Sequence, residues 1–183
     1  AVTGVQTCAL PIFRAGAPAY NARMRELVRT ALVPLSAAKL YALITDIERY
    51  PQFVPGCTHA RIESQQGNEV VATLGVRRGA LDAQFTTRNT LEPDRAVTMR
   101  LLRGPFKTLE GLWSITPRGE HGCEVGLRLR FEFANRLAGA MLTPMFEDTA
   151  KSLVDAFVAR ARELARDTPR DTPRDDGSSA DRA

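Results

Sequence analysis

The sequence is poor in the residues that most often carry catalysis and metal binding. Its 183 residues include only two histidines and three cysteines, and no Cys-x-x-Cys pair occurs. It also lacks a glycine-rich dinucleotide-binding motif, a P-loop and a His-Glu-x-x-His motif. These absences argue against a zinc or redox site, a nucleotide-dependent enzyme and a zinc protease. We therefore expect no bound metal and no required cofactor.

Long apolar runs and a strong excess of one charge are also missing. No stretch approaches the roughly 18 apolar residues of a membrane-spanning helix. The 25 lysines and arginines face 21 acidic residues, a net charge of +4, in a chain that is 44% hydrophobic. This composition is ordinary for a globular domain and excludes a chain that is disordered throughout. Cys57 and Cys123 are expected to be small apolar residues in a reducing, cytoplasmic compartment.

Both ends of the chain differ from its middle. Residues 2–12 resemble the conceptual translation of a sequencing-library adapter, so we expect residues 1–23 to be a non-native or disordered leader. A signal peptide is disfavoured because no basic residue precedes the short apolar run. At the other end, a tandem Arg-Asp-Thr-Pro repeat predicts a disordered tail at 166–183. The folded domain is therefore predicted at 24–165.

The middle of the chain predicts one strand, two short helices, six strands and a long helix. A strand at 27–33 is stopped by Pro34, and Ser36 is in place to cap the first helix. The proline-rich segment 50–57 is expected to be a loop. From 57 to 133, turn signals recur at intervals of about 10 to 15 residues.

Apolar and polar residues alternate along the predicted strands, which is typical of an antiparallel sheet covered on one face only. In one strand the inward residues are Leu81, Ala83, Phe85 and Thr87, and the outward residues are Asp82, Gln84, Thr86 and Arg88. Glu110 and Glu132 also point outward, so no inward pair of carboxylates is available. We therefore do not expect an enzyme; a cyclase on this fold would need an inward acid or base.

The final segment, 135–165, is predicted to be the helix that covers the sheet. Asn135 can cap it, and an apolar stripe lies on one side of it. The stripe consists of Leu142, Phe146, Leu153 and Phe157. The predicted fold is α+β and START-like: a helix-grip with a curved antiparallel sheet of about seven strands around a long C-terminal helix, with two short helices after the first strand.

Three stretches carry a resemblance to a known family. They are Tyr-Pro-x-Phe-x-Pro-x-Cys at 50–57, Gly-Pro-Phe-Lys-x-Leu-x-Gly-x-Trp at 104–113, and Phe-Glu-Phe at 131–133. With them, residues 24–164 resemble the coenzyme Q-binding START-domain family of the polyketide cyclase-like superfamily, which includes bacterial ribosome-association toxins of the RatA type.

The resemblance implies a hydrophobic tunnel between the sheet and the C-terminal helix that binds ubiquinone or another isoprenoid lipid and supports respiratory electron transport. For the toxin-type members it implies binding to the large ribosomal subunit, which blocks subunit association. The sequence does not separate the two readings, and it holds no feature that identifies an antitoxin partner.

The candidate ligand-binding residues belong to the tunnel and its lid, and Met141 is expected to face the sheet with them. They are Tyr50, Phe53, Pro55, Phe85, Met99, Leu101, Phe106, Lys107, Leu109, Trp113, Phe131, Phe133, Met145, Phe146, Leu153 and Phe157. Lys107 is expected at the tunnel mouth, where it would meet a quinone carbonyl or a lipid headgroup. The alternative is an ordinary packed core without a tunnel.

Energetics and charge bear on the two functional readings. Moving a five-carbon isoprene unit out of water gains on the order of 4 kcal/mol, but a tail in a bilayer is already dry. We therefore expect passage or positioning of a quinone, by a cytoplasmic protein at the inner-membrane surface, rather than permanent capture. Four outward arginines are candidates for RNA or membrane contact, although cross-strand ion pairs would explain them as well. They are Arg88, Arg100, Arg128 and Arg130.

Overall fold

The computed structural model describes residues 24–119 and 122–167 as a seven-stranded antiparallel sheet with a long helix. The expected leader, most of the expected tail and His121 lie outside the described residues. The elements are β1 (Arg25–Val33), α1 (Ala37–Thr45), a 3-10 turn (Ile47–Arg49), α2 (Tyr50–Phe53), β2 (Cys57–Gln66), β3 (Glu69–Arg78), β4 (Leu81–Glu92), β5 (Ala96–Arg103), β6 (Phe106–Pro117), β7 (Cys123–Phe133) and α3 (Arg136–Asp167).

The strand order across the sheet is β1-β7-β6-β5-β4-β3-β2, so the first strand pairs with the last. Every other pairing is between strands that follow each other in the chain, which short turns permit. The predicted helix-grip arrangement is confirmed, with two short helices after β1 and six further strands before the long helix.

The first helices begin where local chemistry favours them. Ser36 has extended backbone angles, and its side chain accepts a hydrogen bond from the Lys39 amide at 3.4 Å, as expected for an N-cap. The prediction that residues 50–57 form a loop is wrong for the first half, because Tyr50–Phe53 is a short helix. Pro51 lies in the first turn of that helix, where a missing amide hydrogen has no cost.

The turn between β5 and β6 packs directly on β4. Gly104 has φ +151°, and a Cβ atom at this position would lie 2.7 Å from the Cβ atom of Phe85. Glycine is therefore required both by the backbone angle and by the close approach. This contact ties the turn to a residue of the inner sheet face.

The α3 helix is capped as predicted and lies along the inner face of the sheet. The Asn135 side chain accepts a hydrogen bond from the Leu137 amide at 2.9 Å. The helix continues through Pro144 and is described to Asp167, two residues into the segment predicted as tail. Met141 is 58% exposed and does not face the sheet. It lies five positions before the buried Phe146, which places the two roughly 140° apart around the helix.

The outer face of the sheet is less exposed than the alternation predicted. Thr86, predicted to be outward and wet, is buried, as is Thr73 beside it. Their hydroxyls lie 2.7 Å apart, and Thr73 also donates to Glu63 at 2.6 Å. Glu132 points outward but is only 8% exposed. Polar side chains on neighbouring strands therefore cover parts of this face through their own hydrogen bonds and ion pairs.

Residues 24–119 and 122–167 contain neither a membrane-spanning helix nor a cluster of metal ligands. No helix there combines the length and apolar character of a membrane span. No group of three or more histidine, cysteine or acidic side chains is arranged there to hold a metal ion.

Candidate ligand-binding site

A cavity of about 110 Å³ lies between the inner sheet face, α3 and the segment from α1 to β2. Eight of the predicted tunnel residues line it: Tyr50, Pro55, Phe85, Met99, Leu109, Trp113, Phe146 and Leu153. Sequence reasoning did not assign the others, which are Ile44, Thr45, Ile47, Val54, Cys57, Val70, Leu74, Val76, Thr87, Asn89, Leu91, Val97, Gly111, Leu129, Thr149 and Ala150. The inward positions of β3 and β4 carried the alternation that could have identified several of them.

The other eight predicted residues do not line this cavity. They are Phe53, Leu101, Phe106, Lys107, Phe131, Phe133, Met145 and Phe157. Most are aromatic, and the structure packs these against each other on either side of the cavity instead of around it.

One aromatic cluster joins the ends of β6 and β7 to the first half of α3. The Phe106 ring lies 4.6 Å from Phe133 and 4.9 Å from Phe146, and Phe131 lies 4.6 Å from Phe146. Phe85 extends the cluster, 5.7 Å from Phe106. These ring contacts stabilise the fold in addition to the gain from burying the rings. They leave no room for a ligand within the cluster.

A second aromatic cluster joins α2 to the middle of α3. The Phe157 ring lies 5.2 Å from Tyr50, 5.1 Å from Phe53 and 4.9 Å from Trp113. Phe53, predicted as part of a cavity lid, therefore finds its apolar partner in the core. Tyr50 and Trp113 are the members of this cluster that also face the cavity.

Lys107 is not at a mouth of the cavity, and this prediction is wrong. The strand β6 is irregular between Phe106 and Thr108, and at this irregularity Phe106 is buried while Lys107 is exposed on the outer side. There the Lys107 ammonium lies 3.6 Å from the Glu132 carboxylate. The nearly buried Glu132 carboxylate therefore has a cationic partner.

The cavity lining carries no charge at neutral pH. Its ionisable side chains are Tyr50 and Cys57, and burial raises the pKa of both above their ordinary values. The Tyr50 hydroxyl donates a hydrogen bond to the Ile44 carbonyl, one of the last carbonyls of α1. Both side chains are therefore neutral.

The remaining polar side chains of the lining are of two kinds. The hydroxyls of Thr45 and Thr149 donate back to carbonyls of their own helices, to Tyr41 at 2.9 Å and to Met145 at 2.8 Å. Thr87 and Asn89 of β4 instead bond to each other, with the hydroxyl donating to Oδ1 at 3.0 Å.

The volume of the cavity restricts what it can hold. Binding sites for drug-sized ligands typically occupy about 300–1,000 Å³, whereas an engineered cavity of about 150 Å³ binds benzene. The resemblance implied a tunnel that holds an isoprenoid tail. The structure has a cavity in the predicted place, and its volume is smaller than that of the benzene-binding cavity.

The four candidate arginines lie on the outward face with acidic residues between them. In the strand register Arg100 is opposite Glu110, and Glu110 is opposite Arg130. Arg88 lies 3.9 Å from Glu69, and Arg128 lies 3.7 Å from Glu26. The face therefore presents interleaved charges and not a continuous basic stripe.

The sheet, the covering helix and the cavity between them define a START-like helix-grip protein. Residues 33–158 match the family described as polyketide cyclase/dehydrase and lipid transport. The chain belongs to this family.

The chain is similar to proteins with different names, of which two relatives and one solved structure are examples. The chain is 40% identical over 141 residues to the ribosome association toxin RatA of Escherichia coli K12, which covers 77% of this chain and 89% of the relative. It is 27% identical over 139 residues to the mitochondrial coenzyme Q-binding protein coq10 of Schizosaccharomyces pombe, covering 72% of this chain and 83% of that protein. A START superfamily protein from Mycobacterium smegmatis shares the fold, with a TM-score of 0.66 and 22% identity over 76% of this chain and 98% of that one. The names of the two relatives describe a toxin and a quinone-binding protein, neither of them an enzyme.

Proposed function

We propose that this protein binds ubiquinone without transforming it, with the quinone ring in the cavity between the sheet and α3. The observation that carries the proposal is an apolar cavity between sheet and helix whose lining has no charged side chain. A fatty acid or a phospholipid headgroup would bring a charge into this space without a partner, which is costly. A quinone ring is neutral and flat, and it carries only two carbonyl oxygens and small substituents.

The tail is assigned to the outside of the cavity. A volume of about 110 Å³ leaves no space for a chain of several isoprene units. The tail gains little by leaving a bilayer, because it is already out of water there. The protein therefore works at the membrane surface, where it holds the ring while the tail remains in lipid or on the protein exterior. By holding the ring in this way, the protein positions quinone for respiratory electron transport.

The lining also supports a role in binding and not in catalysis. General acid–base chemistry needs a group whose pKa lies near the working pH. In Tyr50 and Cys57, burial moves the pKa the other way, and Asp82 and Glu110 lie on the opposite face of the sheet. The name of the coq10 relative agrees with this proposal.

The first test identifies the lipids that copurify with the protein. The full chain is expressed in a quinone-producing host, purified without detergent, and extracted with organic solvent for mass spectrometry of the lipids. Ubiquinone is expected in the extract, and a short-chain ubiquinone is expected to quench Trp113, the single tryptophan of the chain, in a saturable manner. Protein that comes out empty and shows no saturable quenching would refute the proposal.

A second candidate is association with the large ribosomal subunit. It is favoured by the relative named as a ribosome association toxin and by Arg100 and Arg130, which form no ion pair within 4 Å with any described residue. Sucrose-gradient profiles with and without expression test it, because inhibition of subunit joining would leave free subunits. A variant with both arginines changed to Gln should lose the effect. Changing the ion-paired Arg88 and Arg128 in the same way is the matched control.

A further inference from the structure

We propose that Asn89 is the recognition group of the cavity and donates a hydrogen bond from Nδ2 to a carbonyl oxygen of the bound ring. This inference rests on the proposed function and adds to it the orientation and the chemical class of the ligand: a neutral ring with an acceptor oxygen. Asn89 is an asparagine among mostly apolar residues on the inner side of the sheet.

The position of Asn89 follows from the alternation of β4. Phe85, Thr87 and Asn89 are successive inward residues of this strand, and all three line the cavity. Asn89 is only 3% exposed. A carboxamide carries two donors and an acceptor, all of which require partners when they are out of water.

The hydrogen bonding of this amide is incomplete. Its Oδ1 accepts from the Thr87 hydroxyl at 3.0 Å, whereas its Nδ2 bonds to no other residue in the described part of the chain. No fully buried side-chain nitrogen or oxygen of that part lacks a hydrogen bond. The Nδ2 group is therefore reached from the cavity. Thr87 holds the oxygen side of the amide and so orients the donor side toward the empty space.

A flexible side chain of the neighbouring strand fills the space beside this donor. Asn89 is opposite Met99 of β5, and Met99 is opposite Gly111 of β6. A Cβ atom on Gly111 would lie 2.3 Å from the Met99 methyl carbon, so the methionine side chain extends over the glycine. Methionine adapts readily to irregular shapes and can move aside for a flat ligand. The carbonyl of a ring placed there faces the amide of Asn89.

The expected selectivity follows from this pairing. A cavity that leaves an amide donor unpaired discriminates against a ligand without an acceptor, because the buried donor then has no partner. Loss of one hydrogen bond of this kind weakens binding by roughly 10- to 100-fold. The apolar walls supply affinity and Asn89 selects for the carbonyl.

The experiment compares titrations of a short-chain ubiquinone into the wild type and Asn89→Leu, followed by quenching of Trp113 fluorescence. Leucine is close to asparagine in size and removes the donor. The dissociation constant should rise roughly 10- to 100-fold, while trimethylbenzene, a ring without a carbonyl, should bind the variant at least as tightly as it binds the wild type. Asn89→Ala repeats the test without added bulk, and thermal unfolding of each variant verifies that it folds.

Thr86→Val is the matched control, because it also removes a buried polar group from β4, on the face of the strand away from the cavity. Its hydroxyl bonds to Thr73 and does not reach the ligand, so binding should change less than about twofold. Ubiquinone binding by both Asn89 variants at wild-type affinity would overturn the inference and leave the proposed function intact. Absence of saturable binding by the wild type would refute the proposed function, and the inference with it.

Discussion

Filling the cavity from α3 should stabilise the protein and abolish quinone binding. Ala150 lies on the inner side of the helix, is 4% exposed and lines the cavity. Replacement by Leu adds three carbon atoms at this point. Leucine and alanine are both good helix formers, so the helix itself is little affected and the result reports on the space beside it.

The magnitude can be estimated in two ways. Three buried carbons at ~0.8 kcal/mol each give about 2.4 kcal/mol. Closing a cavity of about 110 Å³ at ~24 cal/mol per Å³ gives about 2.6 kcal/mol. Ordering the leucine side chain costs ~0.5–1 kcal/mol. The net gain is about 1.5–2 kcal/mol, which corresponds to an increase in Tm of about 3–8 °C.

The assays are thermal unfolding and Trp113 quenching by a short-chain ubiquinone. Ala150→Leu should raise the Tm and remove the saturable quenching. Ala159→Leu, the same change at an exposed position of α3, should alter stability by less than about 0.5 kcal/mol and leave binding intact. A lower Tm for Ala150→Leu would mean that the space does not exist. A higher Tm with unchanged quinone affinity would mean that the ligand binds elsewhere.

Two further predictions concern stability. Tyr50→Phe should cost about 1–3 kcal/mol in the free energy of unfolding, measured with urea, because it leaves the Ile44 carbonyl without its donor. A loss below about 0.5 kcal/mol, the size of an ordinary surface substitution, would contradict this expectation. Hydrogen bonding from Thr73, followed by the Arg103 charge, lowers the pKa of Glu63 below its ordinary 4.5, so the stability that the carboxylate contributes is present above pH 4.5 and declines as the pH falls through the lowered pKa. The difference in unfolding free energy between the wild type and Glu63→Gln should therefore be larger at pH 7 than at pH 3, and an equal difference at both would refute the assignment.

The architecture was predictable because it depends on local patterns. The alternation through β4, β6 and β7 indicated a sheet with one apolar face, and Ser36 and Asn135 marked helix starts that the structure confirms. These signals arise within a few residues of chain, where side-chain direction is set by the period of the element. The helical period applied to Met141 would have placed it away from the ligand site. Strict alternation would have kept Lys107 on the side of Leu109 and Trp113, and only the irregularity between Phe106 and Thr108 moves it to the outer face.

Such patterns did not predict which apolar residues pack into the aromatic clusters and which line the cavity. Phe106 and Leu109 are both inward residues of β6 and equally apolar, yet Phe106 lies in an aromatic cluster and Leu109 lines the cavity. Their roles depend on which helix residue lies opposite, and this follows from how α3 crosses the sheet. Thr86 was expected to be exposed and is covered because Glu63 and Thr73 of other strands bond around it.

The sequence by itself determined the order of the elements, most of the inner positions of β4, β6 and β7, and the family, since each of these is encoded in short-range periodicity and in motifs. Only the tertiary structure decided that the small apolar space lies beside Asn89 and not among the phenylalanines. The physical reason is that a cavity is the volume left over when side chains from distant segments pack against one another. No single segment of the sequence determines that volume.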